Sequence, residues 1–94
     1  GGIPVMEALI LPEILDTRYA VPFSELLKKQ EGAFLLDGES VQRVGGLCFQ
    51  LLVSAFATAQ TLGTSFEIRN VSDEMKENLT LLGGDFLLKG EGTA

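Results

Sequence analysis

The stretch Ala33–Leu52, AFLLDGESVQRVGGLCFQLL, decides the fold. It opens with a short continuous apolar run, Ala33 to Asp37, of the kind that suits a strand covered on both faces. A polar loop follows. The pair Gly45-Gly46 then opens an apolar helix expected to reach about Thr61 and to stop at Gly63. A strand entering a glycine turn and then a helix is the unit from which α/β domains are built.

The flanks extend this pattern in both directions. Upstream, VMEALILP (Val5–Pro12) is strand-like and ends at a proline. Tyr19, Phe23, Leu26 and Leu27 then recur at helical spacing, with Ser24, Glu25, Lys28 and Lys29 on the other face. Asp16 or Thr17 is the expected N-cap and Gly32 the stop. Pro22 belongs in the first turns or marks a delayed start, because it removes a donor. Downstream, Ser65–Arg69 alternates apolar and polar residues as a strand with one wetter face does. Ser72 caps a helix with Asp73 and Glu74 in its first turn. Met75, Leu79 and Leu82 form its apolar stripe, and Gly83 is the left-handed stop. DFLL (Asp85–Leu88) is read as a short edge strand. The order is β-α-β-α-β-α, with a mostly parallel or mixed four-stranded sheet and right-handed crossovers.

Composition bounds what such a domain does. The 94 residues make one domain rather than two, and 46 % are hydrophobic, enough to build a core. Net charge is −6, and the seven basic residues are scattered. That argues against nucleic acid, which needs clustered cations to neutralise phosphates. The chain has no histidine and one cysteine. No internal disulfide can form, a reducing cytoplasmic setting is expected, and no metal site or cofactor is expected. No apolar run reaches the roughly 20 residues needed to span a bilayer, so no direct membrane insertion is expected. Gly1-Gly2 lacks a start methionine and is read as a cloning remnant; residues 90–94 are read as a flexible tail, which leaves 3–89 as the domain.

Catalysis finds little support in the residues. Without histidine, neither a Ser-His-Asp nor a Cys-His arrangement is available. Asp37 and Glu39 lie two apart in an extended segment and do not make a working acid–base pair. Cys48 falls on the buried face of the central helix and is expected to be an inert small hydrophobe. Asn78 begins a glycosylation pattern, NLT, that a cytoplasmic chain would not use.

Placed at about 100° per residue, the helix from Gly46 to Leu62 sorts into faces. Cys48, Leu52, Ala55, Ala59 and Leu62 should pack on the sheet. Gln50, Ser54 and Thr61 form a polar stripe opposite, with Leu47 on it near the N-terminus. Val53, Phe49 and Phe56 make a ridge beside it. Two readings that can coexist are that a neighbouring helix covers the two phenylalanines and that the ridge extends a partner surface around Gly45, Gly46, Leu47 and Gln50. The Gly-Gly turn has anion-binding amides, but no Lys or Ser/Thr follows in phosphate-loop spacing, and Arg43 is the nearest cation. The glycines serve either a close approach by a partner backbone or simply a tight loop.

LLDGESVQRVGGLCFQLL resembles the STAS domain family, named for sulfate transporters and anti-sigma-factor antagonists. The family carries a strand ending in Asp, here Asp37, and a loop with Val, here Val41. A phosphorylatable hydroxyl pair then stands at a helix start. LPEILDTRYAVPFSELL looks like the family's first strand and helix, and LGTSFEIRNVSDEMKENLTLLGG like its third strand and last helix. The resemblance implies a single small STAS-like α/β domain. The regulatory pattern of an acid and two hydroxyls falls on Gly45, Gly46 and Leu47, none of which accepts phosphate, so that switch is absent. Ser40, the nearest hydroxyl, precedes the helix. SVQRVGGLCFQLLVSA is most similar to short stand-alone STAS proteins of bacterial chemotaxis clusters.

The role this implies is a non-catalytic regulatory module that binds a signalling histidine kinase and biases phosphate flow to a response regulator. The partner-binding residues would be Arg43, Gly45, Gly46, Leu47, Phe49, Gln50 and Ser54, with a weak homodimer as a further expectation. Two alternatives stand beside it: an anti-sigma-factor antagonist, and the STAS subunit of a phospholipid-transport ABC complex.

Overall fold

The computed structural model describes residues 7–89. They form a small α/β domain with three helices and parallel strands in two small sheets. The expected strand's first residues, Val5 and Met6, and the expected tail, 90–94, lie outside the described residues.

The apolar run forms strand β3 (Phe34–Asp37), following β1 (Leu9–Ile10) and β2 (Ile14–Leu15) in the chain. Phe34, Leu35 and Leu36 are all buried, as a two-sided strand requires. It is the centre of a parallel sheet ordered β1-β3-β5, where β5 is Phe66–Arg69. Phe34 pairs with Phe66 and Leu36 with Ile68 across the ladder. Along β5, Phe66 and Ile68 are buried while Glu67 and Arg69 are exposed, the expected alternation.

The single four-stranded sheet does not form. β2 instead pairs in parallel with β4 (Arg43–Val44), as a separate two-stranded ladder. The loop between β3 and the central helix is thus partly extended. Gln42 and Arg43 amides both donate to Glu13 O, and Gly45 N donates to Leu15 O at 2.8 Å. Val41 and Val44 are buried on this ladder beside Leu11 and Leu15. Apolar residues in a nominal loop thereby join the core, which is what draws the loop against β2.

Helix α1 (Thr17–Lys28) starts after Asp16, whose Oδ1 accepts from Arg18 N at 3.0 Å. Pro22 therefore sits inside the helix rather than delaying it. It lies on the exposed face, where water can replace the donor that proline removes. Phe23 and Leu27 are buried; Tyr19 and Leu26 are half-buried at the margin. Helix α2 (Gly46–Leu62) buries Cys48, Leu52, Ala55 and Ala59, as its phase predicted. Leu62 departs from that face and is 59 % exposed. It stands in the last turn, where its side chain lies over Gly32 rather than on the sheet.

Helix α3 (Asp73–Leu81) is capped by Ser72, whose Oγ accepts from Met75 N at 3.0 Å. Met75 and Leu79 are buried, but Leu82 falls just past the last turn and is 39 % exposed. Helices α2 and α3 end alike. Gly63 and Gly83 have φ of 71° and 79°, and the residue after each donates back to Ala59 O and Leu79 O respectively. Glycine is the residue that adopts this left-handed stop without strain. Asp85–Lys89 is a 3-10 helix, not the expected edge strand. It packs on β5, burying Leu87 and setting Phe86 edge-on to Phe56 with ring centroids 5.2 Å apart. Packing these apolar side chains on the core wins over strand propensity in so short a segment.

Gly38 closes β3 against α3: a Cβ there would meet Met75 Sδ at 2.6 Å and Ile68 Cγ2 at 3.4 Å. Gly38→Ala should therefore cost about 1–3 kcal/mol by overpacking, read from urea unfolding midpoints. An unchanged midpoint would mean that α3 shifts without cost.

Candidate functional site

The start of α2 is positioned from three sides. On one, Gly45 is tied to β2 by its bond to Leu15 O, and a Cβ at this residue would stand 3.3 Å from that oxygen. The close approach at Gly45 is thus to the chain's own backbone. On the second, Cys48 Sγ donates to Asp16 O at 3.3 Å, joining α2 to the start of α1. On the third stands Asn78 of α3, whose Oδ1 accepts from Val44 N at 3.1 Å while its Nδ2 donates to Glu74 O at 2.8 Å. Asn78 was legible only as part of a glycosylation pattern. Its position beside Leu79 on the apolar stripe is the signal that points instead to a part-buried hydrogen bond.

What this frame presents to solvent is the first turn of α2. Gly45 caps the helix with no side-chain acceptor. Gly46 is exposed, and a Cβ there would meet nothing within 4 Å. Leu47 is 50 % exposed, a large apolar side chain on the solvent side as its helical phase predicted. Gln50 and Ser54 continue the same exposed line along α2. Arg43 is exposed on β4, paired with the part-exposed Ile14 of β2. Among the described residues, no carboxylate lies within 4.0 Å of its guanidinium.

Phe49 belongs elsewhere. Two residues from Leu47, it points about 200° around the helix. It is half-buried against Gly84, where an added Cβ would collide with its ring at Cε1. Phe56 is buried between Phe66 and Phe86. The phenylalanine ridge is covered, and by the 3-10 segment and the glycine before it rather than by an α-helix.

Asp37, at the carboxyl end of β3, is a structural carboxylate here. Oδ1 accepts from Glu39 N at 2.9 Å and Oδ2 from Asn70 Nδ2 at 2.9 Å. The bond from the Glu39 amide, then that from Asn70, with Arg69 nearby, holds its pKa below the ordinary carboxylate value. Asn70 itself is left-handed, with φ of 53°. Glu39 and Ser40 are exposed in the turn that follows. Burial pushes the Cys48 thiol upward, with the Asp16 charge acting in the same direction. The thiol thus stays protonated at neutral pH, the state of an unreactive cysteine.

Among the described residues no group of three or more His, Cys, Asp or Glu side chains is placed to hold a metal ion. No helix among them is long and apolar enough to cross a membrane. No family model, curated protein or solved structure matches this chain.

Asn78→Ala should destabilise the domain by about 1–3 kcal/mol, since it strips a part-buried Val44 amide of its acceptor. Urea unfolding measures this, and a neutral result would mean water replaces the side chain. Asp37 works through its ionised form. Its lowered folded pKa contributes stability above the unfolded value of about 3.9, and that contribution is lost as pH falls through the folded value. The stability gap between wild type and Asp37→Asn should be flat above about pH 5 and close below it.

Proposed function

We propose that this chain is a STAS-type regulatory interaction module that does no chemistry itself. It docks a cytoplasmic signalling histidine kinase through the first turn of α2. The observation that carries the reading is Leu47, half exposed on a helix start whose backbone is held from three sides. A rigid frame around an apolar side chain lowers the ordering cost of binding. Gly46 leaves room for a partner backbone beside it, while Gln50 and Ser54 supply polar contacts along one line. Arg43 adds a cation at the edge, with no carboxylate partner among the described residues, suited to an acidic group on the docked protein.

Phe49 is withdrawn from the proposed contact set, since it is committed to Gly84. Gly45 remains in it for its backbone position only. With Gly46 and Leu47 in place of hydroxyls, the module is a constitutive binder, without a phosphate switch at its helix start. Regulation then lies in the amount of the module or in the partner.

Leu47→Asp tests this directly. The change places a carboxylate in the first turn of α2, where the helix dipole favours it, so thermal stability should hold or rise. Affinity for the partner should drop at least about tenfold, because exposed apolar area is lost and a charge must be desolvated. Wild-type and Leu47→Asp baits would be compared in lysate of the source organism, with mass spectrometry of the retained proteins. A histidine kinase held by wild type and lost by the variant supports both role and surface. A kinase held equally by both moves the surface elsewhere, and an ABC-type ATPase in its place turns the reading to lipid transport.

A further inference from the structure

A concavity among the described residues lies away from the start of α2. It is a groove of about 400 Å³ between α1 and α2. The two helices run side by side in the same direction: Cys48 meets Asp16 at their starts, and Leu62 lies over Gly32 at their ends. Leu27, Phe34 and Ala55 form its apolar floor, and Leu51 and Leu62 close its length. Thr58 contributes its methyl, because its hydroxyl donates to Ser54 O at 2.9 Å. Ser24 and Ala55 face the space with small side chains, so it is left unfilled where interiors are otherwise close-packed.

The charge of the walls is unlike that of the chain. The protein has 13 acidic and 7 basic residues, yet among the described residues no carboxylate lines this groove, and Lys28 is the one charged wall residue. By helical phase Ser24 and Lys28 belong to the outer polar face of α1; the packing of α2 turns them into the rim of an apolar slot.

We propose that this groove binds the tail of a free, single-chain anionic amphiphile, with Lys28 holding the head group. The volume is at the lower end of small-molecule sites, room for one tail and not for a two-chain lipid. The tail would cover the apolar surface that the exposed Leu62 and the part-buried Leu51 present above the buried Leu27, Phe34 and Ala55, which is the source of affinity. The head group would sit at the mouth beside the ammonium. The net charge of −6 repels anions at long range, but at physiological salt that field is screened within about 8 Å, so the adjacent Lys28 decides the sign. This site is independent of the Leu47 surface, though Ser54 borders both.

The test uses the full chain and two probes with the same tail: decanoate and decyltrimethylammonium, each below its critical micelle concentration. Binding is followed by ¹⁵N–¹H chemical shifts. Decanoate should bind saturably, with shifts centred on Leu27, Leu51 and Leu62, and the cationic probe should bind more weakly. Lys28→Gln should weaken decanoate about two- to fivefold, the size of an exposed ion pair, and leave the cationic probe unchanged or tighter. Thr58→Phe, at an exposed position, should fill the slot and abolish decanoate shifts while the thermal midpoint holds. No saturable binding of decanoate, shifts centred elsewhere, or equal or tighter binding of the cation by wild type would each overturn the proposal.

Discussion

The two-sided burial of β3 is the constraint on which the rest of the molecule depends. Three successive apolar residues, Phe34, Leu35 and Leu36, alternate between the faces of the strand and are all buried. A strand of this kind has to be central, with a neighbour on each edge and cover on each face. β1 and β5 supply the edges. The amide of Gln30 both donates to and accepts from the backbone of Leu35, satisfying polar groups there. Phe34 and Leu36 join Phe66, Ile68 and the buried face of α2 in one core. The carboxyl end of the strand then has to turn sharply, and Gly38 and the Asp37 carboxylate make that turn against α3 and Asn70.

From that end of the sheet the chain reaches the candidate site. The segment from Val41 to Gly45 is drawn inward by Val41 and Val44, and this recruits Glu13, Leu15 and Asn78 as hydrogen-bonding partners. The start of α2 is thus held through backbone groups, which is why its own residues are free to be glycine and an exposed leucine. A rigid support under an apolar side chain is the physical content of the docking reading. The same economy extends to the one thiol and to the Asp37 carboxylate, which both engage backbone: Cys48 Sγ donates to Asp16 O, and Asp37 Oδ1 accepts from Glu39 N.

The α1–α2 groove follows a different logic. Small residues at a helix contact leave space that no neighbouring element fills. The groove and the Leu47 turn share α2 but differ in kind. One is a concave apolar slot edged by a cation; the other is a convex apolar point beside exposed backbone. A tail in the groove and a partner on the turn would therefore engage the same helix with Ser54 as their shared border.

By itself, the sequence determined the three helices, the cap at Ser72 and the choice of Asp16 or Thr17 for the first helix, the stops at Gly63 and Gly83, and strands β3 and β5. These depend on neighbours within a few residues, through capping bonds, left-handed glycines and apolar periodicity, so they are readable locally. It also determined the outward phase of Leu47, Gln50 and Ser54, because helical geometry sets phase. Only tertiary structure decided the β2–β4 ladder, the 3-10 turn at Asp85–Lys89, the covering of Phe49 and Phe56, the role of Asn78 and the α1–α2 groove. Each of these arises from groups far apart in the chain, where packing outweighs weak local preference. A polar loop becomes a strand when it meets an open edge, and a polar helix face becomes a groove rim when a second helix lies against it.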